Sequence, residues 1–130
     1  MILVDTNVLI ALMVDGREAQ RQAALVELTH QGAQGTNVVV CESVLVEACW
    51  VLERSYRLDR EKVAEALRRL ISTPPLTAWD PALADAALAL MTHRPALALT
   101  DCLLLRRAAD FGGCVLTFDD AVLRESRPDS

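Results

Sequence analysis

The sequence predicts an α/β domain with a mostly parallel sheet of four strands and helices on both faces. Three observations predict it. Four short runs are rich in branched and apolar residues, at Ile2–Val4, Val38–Cys41, Leu76–Trp79 and Cys114–Phe118. Helical stretches, single or paired, separate these runs, the alternation that a parallel sheet with helices on both faces requires. Turn and cap residues stand at the junctions. A helical bundle is the competing architecture, and it would require all four runs to be helix ends.

Each element has a local reason. Ile2-Leu3-Val4 is long enough for a buried strand. Asp5 stops it, and Thr6 and Asn7 can both cap the helix that Val8 to Val14 continues. Asp15-Gly16 is a turn signal. Arg17 to Gln31 reads as an amphipathic helix with Ala23, Ala24, Leu25 and Leu28 on its apolar side, ended by Gly32 and Gly35. After the second strand, Glu42 to Tyr56 is helical and strongly apolar. Asp59 caps a helix to about Ile71, with Val63, Ala66, Leu67 and Leu70 spaced to face a core. Thr73-Pro74-Pro75 breaks the chain before the third strand. Asp80-Pro81 opens a helix over Ala82 to Thr92. Arg94-Pro95 is a loop. Thr100 caps a helix to about Phe111, and Gly112-Gly113 ends it. After the fourth strand, Asp119-Asp120 begins a short helical turn. The domain is expected over residues 1–126, with 127–130 a frayed tail.

The 130 residues suit one domain with a real core. At 52% hydrophobic and 24% charged, the composition excludes general disorder. The longest uncharged stretches are too short for a membrane span, and no basic segment precedes the first apolar run, so a cytoplasmic protein is expected. Cys41, Cys49, Cys102 and Cys114 lie in apolar surroundings without a C-x-x-C pair and read as buried reduced thiols. His30 and His93 are the only histidines and neither neighbours a cysteine, which disfavours zinc. A net charge of −5 argues against binding nucleic acid through a broad basic surface. It leaves nucleic acid open as a substrate if metal ions supply positive charge locally.

Four acids stand in apolar company. Asp5 is the only charge in the first fourteen residues, Glu47 the only one in Ser43 to Leu52, and Asp101 the only one in Pro95 to Leu105. Asp119 directly follows Val115-Leu116-Thr117-Phe118. Such carboxylates are expected to be partly withdrawn from water, which is costly without a partner. Asp5 and Asp119 end strands, at one edge of a parallel sheet. Asp101 opens a helix, and helix starts in β–α units lie at that edge too. Glu47 is about six residues into its helix, roughly 8 Å from the start at 1.5 Å per residue, and its side chain leans back toward that start. All four can converge on one pocket. No Lys or Arg adjoins them in sequence before residue 106, so a divalent cation is the simplest partner, and all-oxygen ligands select Mg²⁺ or Mn²⁺. Each acid also has a plainer reading: Asp5 and Asp101 as a cap or helix-dipole partner, Asp119 as a turn residue with Asp120 or Thr117 the true cap. Glu47, in mid-helix, has neither role.

Val4-Asp-Thr-Asn-Val-Leu9, the Glu47 helix, Leu99-Thr-Asp-Cys-Leu-Leu104 and Leu116-Thr-Phe-Asp119 resemble, in order and spacing, the four acidic motifs of PIN domains. The resemblance covers nearly the whole chain and is closest to VapC-type toxins of bacterial toxin–antitoxin pairs. The opening D-T-N-V and the T-F-D are its specific parts. It implies an α/β/α sandwich and RNA cleavage with Mg²⁺ or Mn²⁺ held by Asp5, Glu47, Asp101 and Asp119. One departure stands out: family members usually add a strand after T-F-D, and here only about ten polar residues follow.

Metal-assisted hydrolysis of a phosphodiester fits such a site. Asn7 and Thr117 are candidates for hydrogen bonds that orient the metal ligands. Thr6 is a candidate donor to a metal-held water or to phosphate, beside its plainer role as a cap. The resemblance also implies a small antitoxin crossing the acidic cleft with a basic side chain. A homodimer is the usual symmetric outcome for an apolar patch, with Leu12, Met13 and Leu67 to Leu70 the expected contacts. Two other acid-first classes are disfavoured by residue identity. A haloacid-dehalogenase-type phosphatase needs Asp-x-Asp, and Asn7 stands at the third position. A response-regulator receiver needs a late lysine, and Lys62 is the only one. A non-catalytic PIN-like binding module is the alternative from a different class.

Overall fold

A computed structural model describes residues 1–126. By its internal contacts the chain divides into two compact units, one over Met1–Pro81 and a second from Ala82 onward.

The first unit is a parallel sheet with paired helices as crossovers. Its strands β1 (Ile2–Leu3), β2 (Val38–Val40) and β3 (Leu76–Ala78) lie in the order β1-β2-β3. Ile2 pairs with Val38 and Leu3 with Val39, while Val38, Val39 and Val40 pair with Leu76, Thr77 and Ala78. The helices α1 (Thr6–Met13) and α2 (Glu18–Ala33) connect β1 to β2, and α3 (Glu42–Arg54) and α4 (Arg60–Ile71) connect β2 to β3. Parallel neighbours need such long crossovers. Val38, Val39 and Val40 are all buried, as the middle strand of a covered sheet demands. Leu9, Ile10, Leu45, Leu52, Val63 and Leu67 are the fully buried large side chains around them. Gly35 takes φ +70°, which lets the chain turn out of α2 toward β2 without the strain a Cβ would bring.

β1 departs from the expected buried strand. Among the described residues it pairs on one side only, so Ile2 and Leu3 are 38% and 59% exposed and only Val4 of the run is buried. The apolar side expected of α2 is only partly covered: α2 packs against α1, Ala24 and Leu28 are half-buried, Ala23 and Leu25 are exposed, and none of its residues is fully buried. Leu67, expected as a surface contact, is wholly buried, while Leu12, Met13 and Leu70 are half-buried.

The second unit is helical: α5 (Pro81–His93), α6 (Leu99–Asp110) and α7 (Asp120–Ser126), with α6 packed against α7. Leu88, Met91, Leu97 and Cys102 are its fully buried large side chains.

The fourth strand expected at Cys114–Phe118 does not form among the described residues; the segment is irregular. Its backbone donors are taken locally. Val115 N–H donates to Ser126 Oγ, and Asp119 N–H donates to Thr117 Oγ1. Leu116 and Phe118 stand fully in solvent. Cys114 is exposed and Cys41 half-buried, so only Cys49 and Cys102 meet the expectation of buried thiols, and none of the four is in a disulfide among the described residues. A fifth strand, and the tail expected at 127–130, lie outside the described residues. No described helix is long and apolar enough to cross a membrane.

Candidate active site

Asp5 leaves the carboxyl end of β1 and is the N-cap of α1. Its Oδ1 accepts the Thr6 N–H at 2.7 Å, and its backbone is extended. The plainer reading of Asp5 as a cap therefore holds, and neither Thr6 nor Asn7 is the cap. Thr6 is the first helical residue and is buried. Asn7 is exposed. Because β1 and β2 are parallel, α3 begins at the same sheet edge, directly after Cys41. Glu47 is the sixth residue of α3 and exposed.

In the second unit, Asp101 lies in the first turn of α6. Its Oδ2 accepts the Ala98 N–H at 2.9 Å, so the carboxylate closes back on the residue that precedes the helix. The cap position is Ala98, two residues before the Thr100 expected there. Asp119 Oδ1 accepts from Ala121 N–H at 2.9 Å and from Val122 N–H at 3.2 Å. Asp119 itself thus holds the start of α7, in place of Asp120 or Thr117, and Thr117 orients Asp119 through the backbone bond above.

The expectation of withdrawal from water is not met: Asp5, Glu47 and Asp119 are exposed and Asp101 is half-buried. Asp5 and Asp119 stand at helix caps and Asp101 in the first turn of α6, while Glu47 lies on the outer side of its helix. Among the described residues, neither unit by itself groups three or more His, Cys, Asp or Glu side chains around a metal position. Each unit supplies two of the four acids.

The donor set nevertheless suits a hard cation. Asp5, Asp101 and Asp119 each spend one oxygen on backbone N–H groups and keep the other uncommitted; Glu47 keeps both. None of the four meets a Lys or Arg partner among the described residues. Mg²⁺ typically takes one or two carboxylates and keeps several waters, which such half-committed oxygens allow.

A groove of about 520 Å³ runs beside Asp5 and Asn7, between β1 with α1 and the α2 face that carries Gln20, Glu27 and Gln31. Gln31 Nε2 donates to Glu27 Oε1 at 2.7 Å across one turn. These polar residues escaped the sequence reading, although their spacing of seven and four places them on one helix stripe.

No curated protein and no solved structure gives a significant match to the chain. A family model does match, over residues 2–126: that of the PIN domain, a fold whose members are generally nucleases and often metal-dependent. Because that match takes in all four acids and nearly every described residue, the chain belongs to the PIN-domain family.

Proposed function

We propose that the chain is a Mg²⁺- or Mn²⁺-dependent ribonuclease that hydrolyses RNA phosphodiester bonds at one site formed by Asp5, Glu47, Asp101 and Asp119. One observation carries the reading: four carboxylates, of which Asp5 follows β1, Glu47 and Asp101 lie on helices and Asp119 caps one, each with a free oxygen, and none with a cationic partner among the described residues. Such a set asks for positive charge from outside the chain.

In this reading Asp5 and Glu47 hold the cation from the first unit, and Asp101 and Asp119 from the second. When bound, the cation supplies charge stabilisation to the phosphodiester and makes water a nucleophile near neutral pH. The chain's own part is positional. The bonds to Thr6, Ala98, Ala121 and Val122 fix three carboxylates against their helices, so little order has to be created on loading. Thr117 fixes the backbone of Asp119, and Asn7 is free to hydrogen-bond a held water. The N-terminal ends of α1 and α6 add partial positive charge facing phosphate.

The finer reading is the toxin of a bacterial toxin–antitoxin pair, acting in the cytoplasm as a homodimer and restrained by an antitoxin. A negative cleft suits an antitoxin guanidinium, which satisfies two carboxylate oxygens at once. Incubation of labelled RNA with wild type and Asp101→Asn, in Mg²⁺, Mn²⁺ and chelator, tests the enzyme reading. Cleavage by wild type with metal alone supports it. An inert wild-type chain favours the non-catalytic binding module, which the exposed Phe111, Leu116 and Phe118 would serve.

A further inference from the structure

The helix α3 carries more than Glu47 on its outer side. Ser43, Glu47, Trp50 and Arg54 are exposed, and their spacing of four, three and four residues is that of one helix stripe. The opposite stripe, Leu45, Ala48, Cys49 and Leu52, is buried. Trp50 is 58% exposed, although nothing in the packing of α3 requires a large aromatic there. The Arg54 guanidinium lies over its ring, 5.8 Å from the centroid, so the indole is held in place with a cation beside it. By helix rise, Trp50 is about 4.5 Å along the axis from Glu47 and Arg54 about 10.5 Å.

The stripe runs into the most basic part of an acidic chain. Residues 54–69 hold six of the thirteen Lys and Arg against three of the eighteen Asp and Glu. Arg57, at φ 52° where α3 turns into α4, lines a groove of about 560 Å³ with Lys62 and Arg69, three cations against the two acids Asp59 and Glu65. None of these three has an ion-pair partner among the described residues.

We propose that this stripe is the track of a single-stranded RNA, with a base stacked on Trp50 and the adjoining phosphates on Arg54 and the cations of the α3–α4 corner. The inference rests on the nuclease reading in one respect: Glu47 marks the reacting end of the track. An aromatic face beside unpaired cations is the general apparatus of single-strand binding, since every base has a π-face and every linkage a charge. Glu47, Glu53 and Arg54 adjoin Trp50 on the helix, with the half-buried Val46 its one apolar neighbour there.

The test uses the full chain with a short labelled oligouridylate, Ca²⁺ in place of Mg²⁺, and a check that the RNA is intact at the end. In a Trp79→Phe chain, where Trp50 is the sole tryptophan, RNA is expected to quench the fluorescence. Trp50→Ala should raise Kd about 5- to 140-fold while Trp50→Phe keeps most of the affinity. Arg54→Gln should lower the slope of log K against log salt by about 0.7. Circular dichroism confirms the fold of each variant, and Arg54→Gln and Trp50→Phe still report if Trp50→Ala fails to fold. Unquenched fluorescence with unchanged Kd overturns the proposal. So does a Trp50→Ala chain that binds RNA normally but loses self-association, which would make the stripe a protein interface. RNA bound at Trp50 but never cut in Mg²⁺ or Mn²⁺ leaves the track standing and removes the nuclease. RNA cut with Trp50 irrelevant does the reverse.

Discussion

The Asp119 backbone N–H donates to the Thr117 hydroxyl at 3.0 Å, and the Asp119 carboxylate then accepts two N–H groups of α7 with a single oxygen. One residue thereby serves as helix cap and candidate metal ligand, and the two roles respond differently to substitution. Asp119→Asn keeps an N-cap of equal quality and should leave stability within about 0.5 kcal/mol, while abolishing cleavage. Asp119→Ala should lose both, with about 1 kcal/mol of stability gone. Urea unfolding beside an RNA cleavage assay checks the pair; an Asp119→Asn chain that cleaves normally leaves only the cap.

Asp5 is held the same way, by the Thr6 N–H. Asp5→Asn should fold as wild type does but gain less from metal. A ligand at 100 times its Kd stabilises by about 2.7 kcal/mol, so Mn²⁺ should raise the wild-type Tm by several degrees and that of Asp5→Asn by much less. Equal shifts in a calorimetric scan would remove Asp5 from the metal site.

Leu116 and Phe118 are fully exposed, whereas Leu52 and Leu88 are fully buried. Leu52→Ala and Leu88→Ala should each cost about 2–5 kcal/mol. Phe118→Ser should change stability by no more than about 0.5 kcal/mol. Denaturant midpoints read this directly; a loss above 2 kcal/mol for Phe118→Ser would mean that residues 114–118 pack as a strand after all.

Much of this was legible beforehand, and for identifiable reasons. Val38–Val40 read as a buried strand because the middle of a parallel sheet is apolar on both faces. Asp59 read as a cap, and its carboxylate does accept the Glu61 N–H. Val115-Leu116-Thr117-Phe118 has the same apolar signature as Val38–Val40, but a strand also needs a pairing edge, which composition does not report. Exposure of the acids was misread for a related cause. Apolar sequence neighbours of Glu47 say only that α3 has a buried side, and Leu45, Ala48, Cys49 and Leu52 fill it while Glu47 faces out. Trp50 and Arg54 were hidden within the same apolar stretch until burial separated the two sides of the helix.

The restraint expected of a toxin has a cellular readout. Expressed alone, the chain should arrest growth, and co-expression of the adjacent gene or the Asp5→Asn substitution should relieve it. A chain that is harmless alone while cleaving RNA in vitro would keep the nuclease and lose the toxin role.

The proposed metal site draws on Asp5, Glu47, Asp101 and Asp119. Mn²⁺ titration of wild type and of Asp5→Asn, Glu47→Gln, Asp101→Asn and Asp119→Asn, followed by the loss of the free-ion electron paramagnetic resonance signal, tests it most directly. If all four hold the ion, every one of the four substitutions weakens Mn²⁺ binding at least about tenfold, as loss of a charged oxygen ligand should. Weakening by Asp5→Asn and Glu47→Gln with no effect of Asp101→Asn and Asp119→Asn, or the converse, would contradict it.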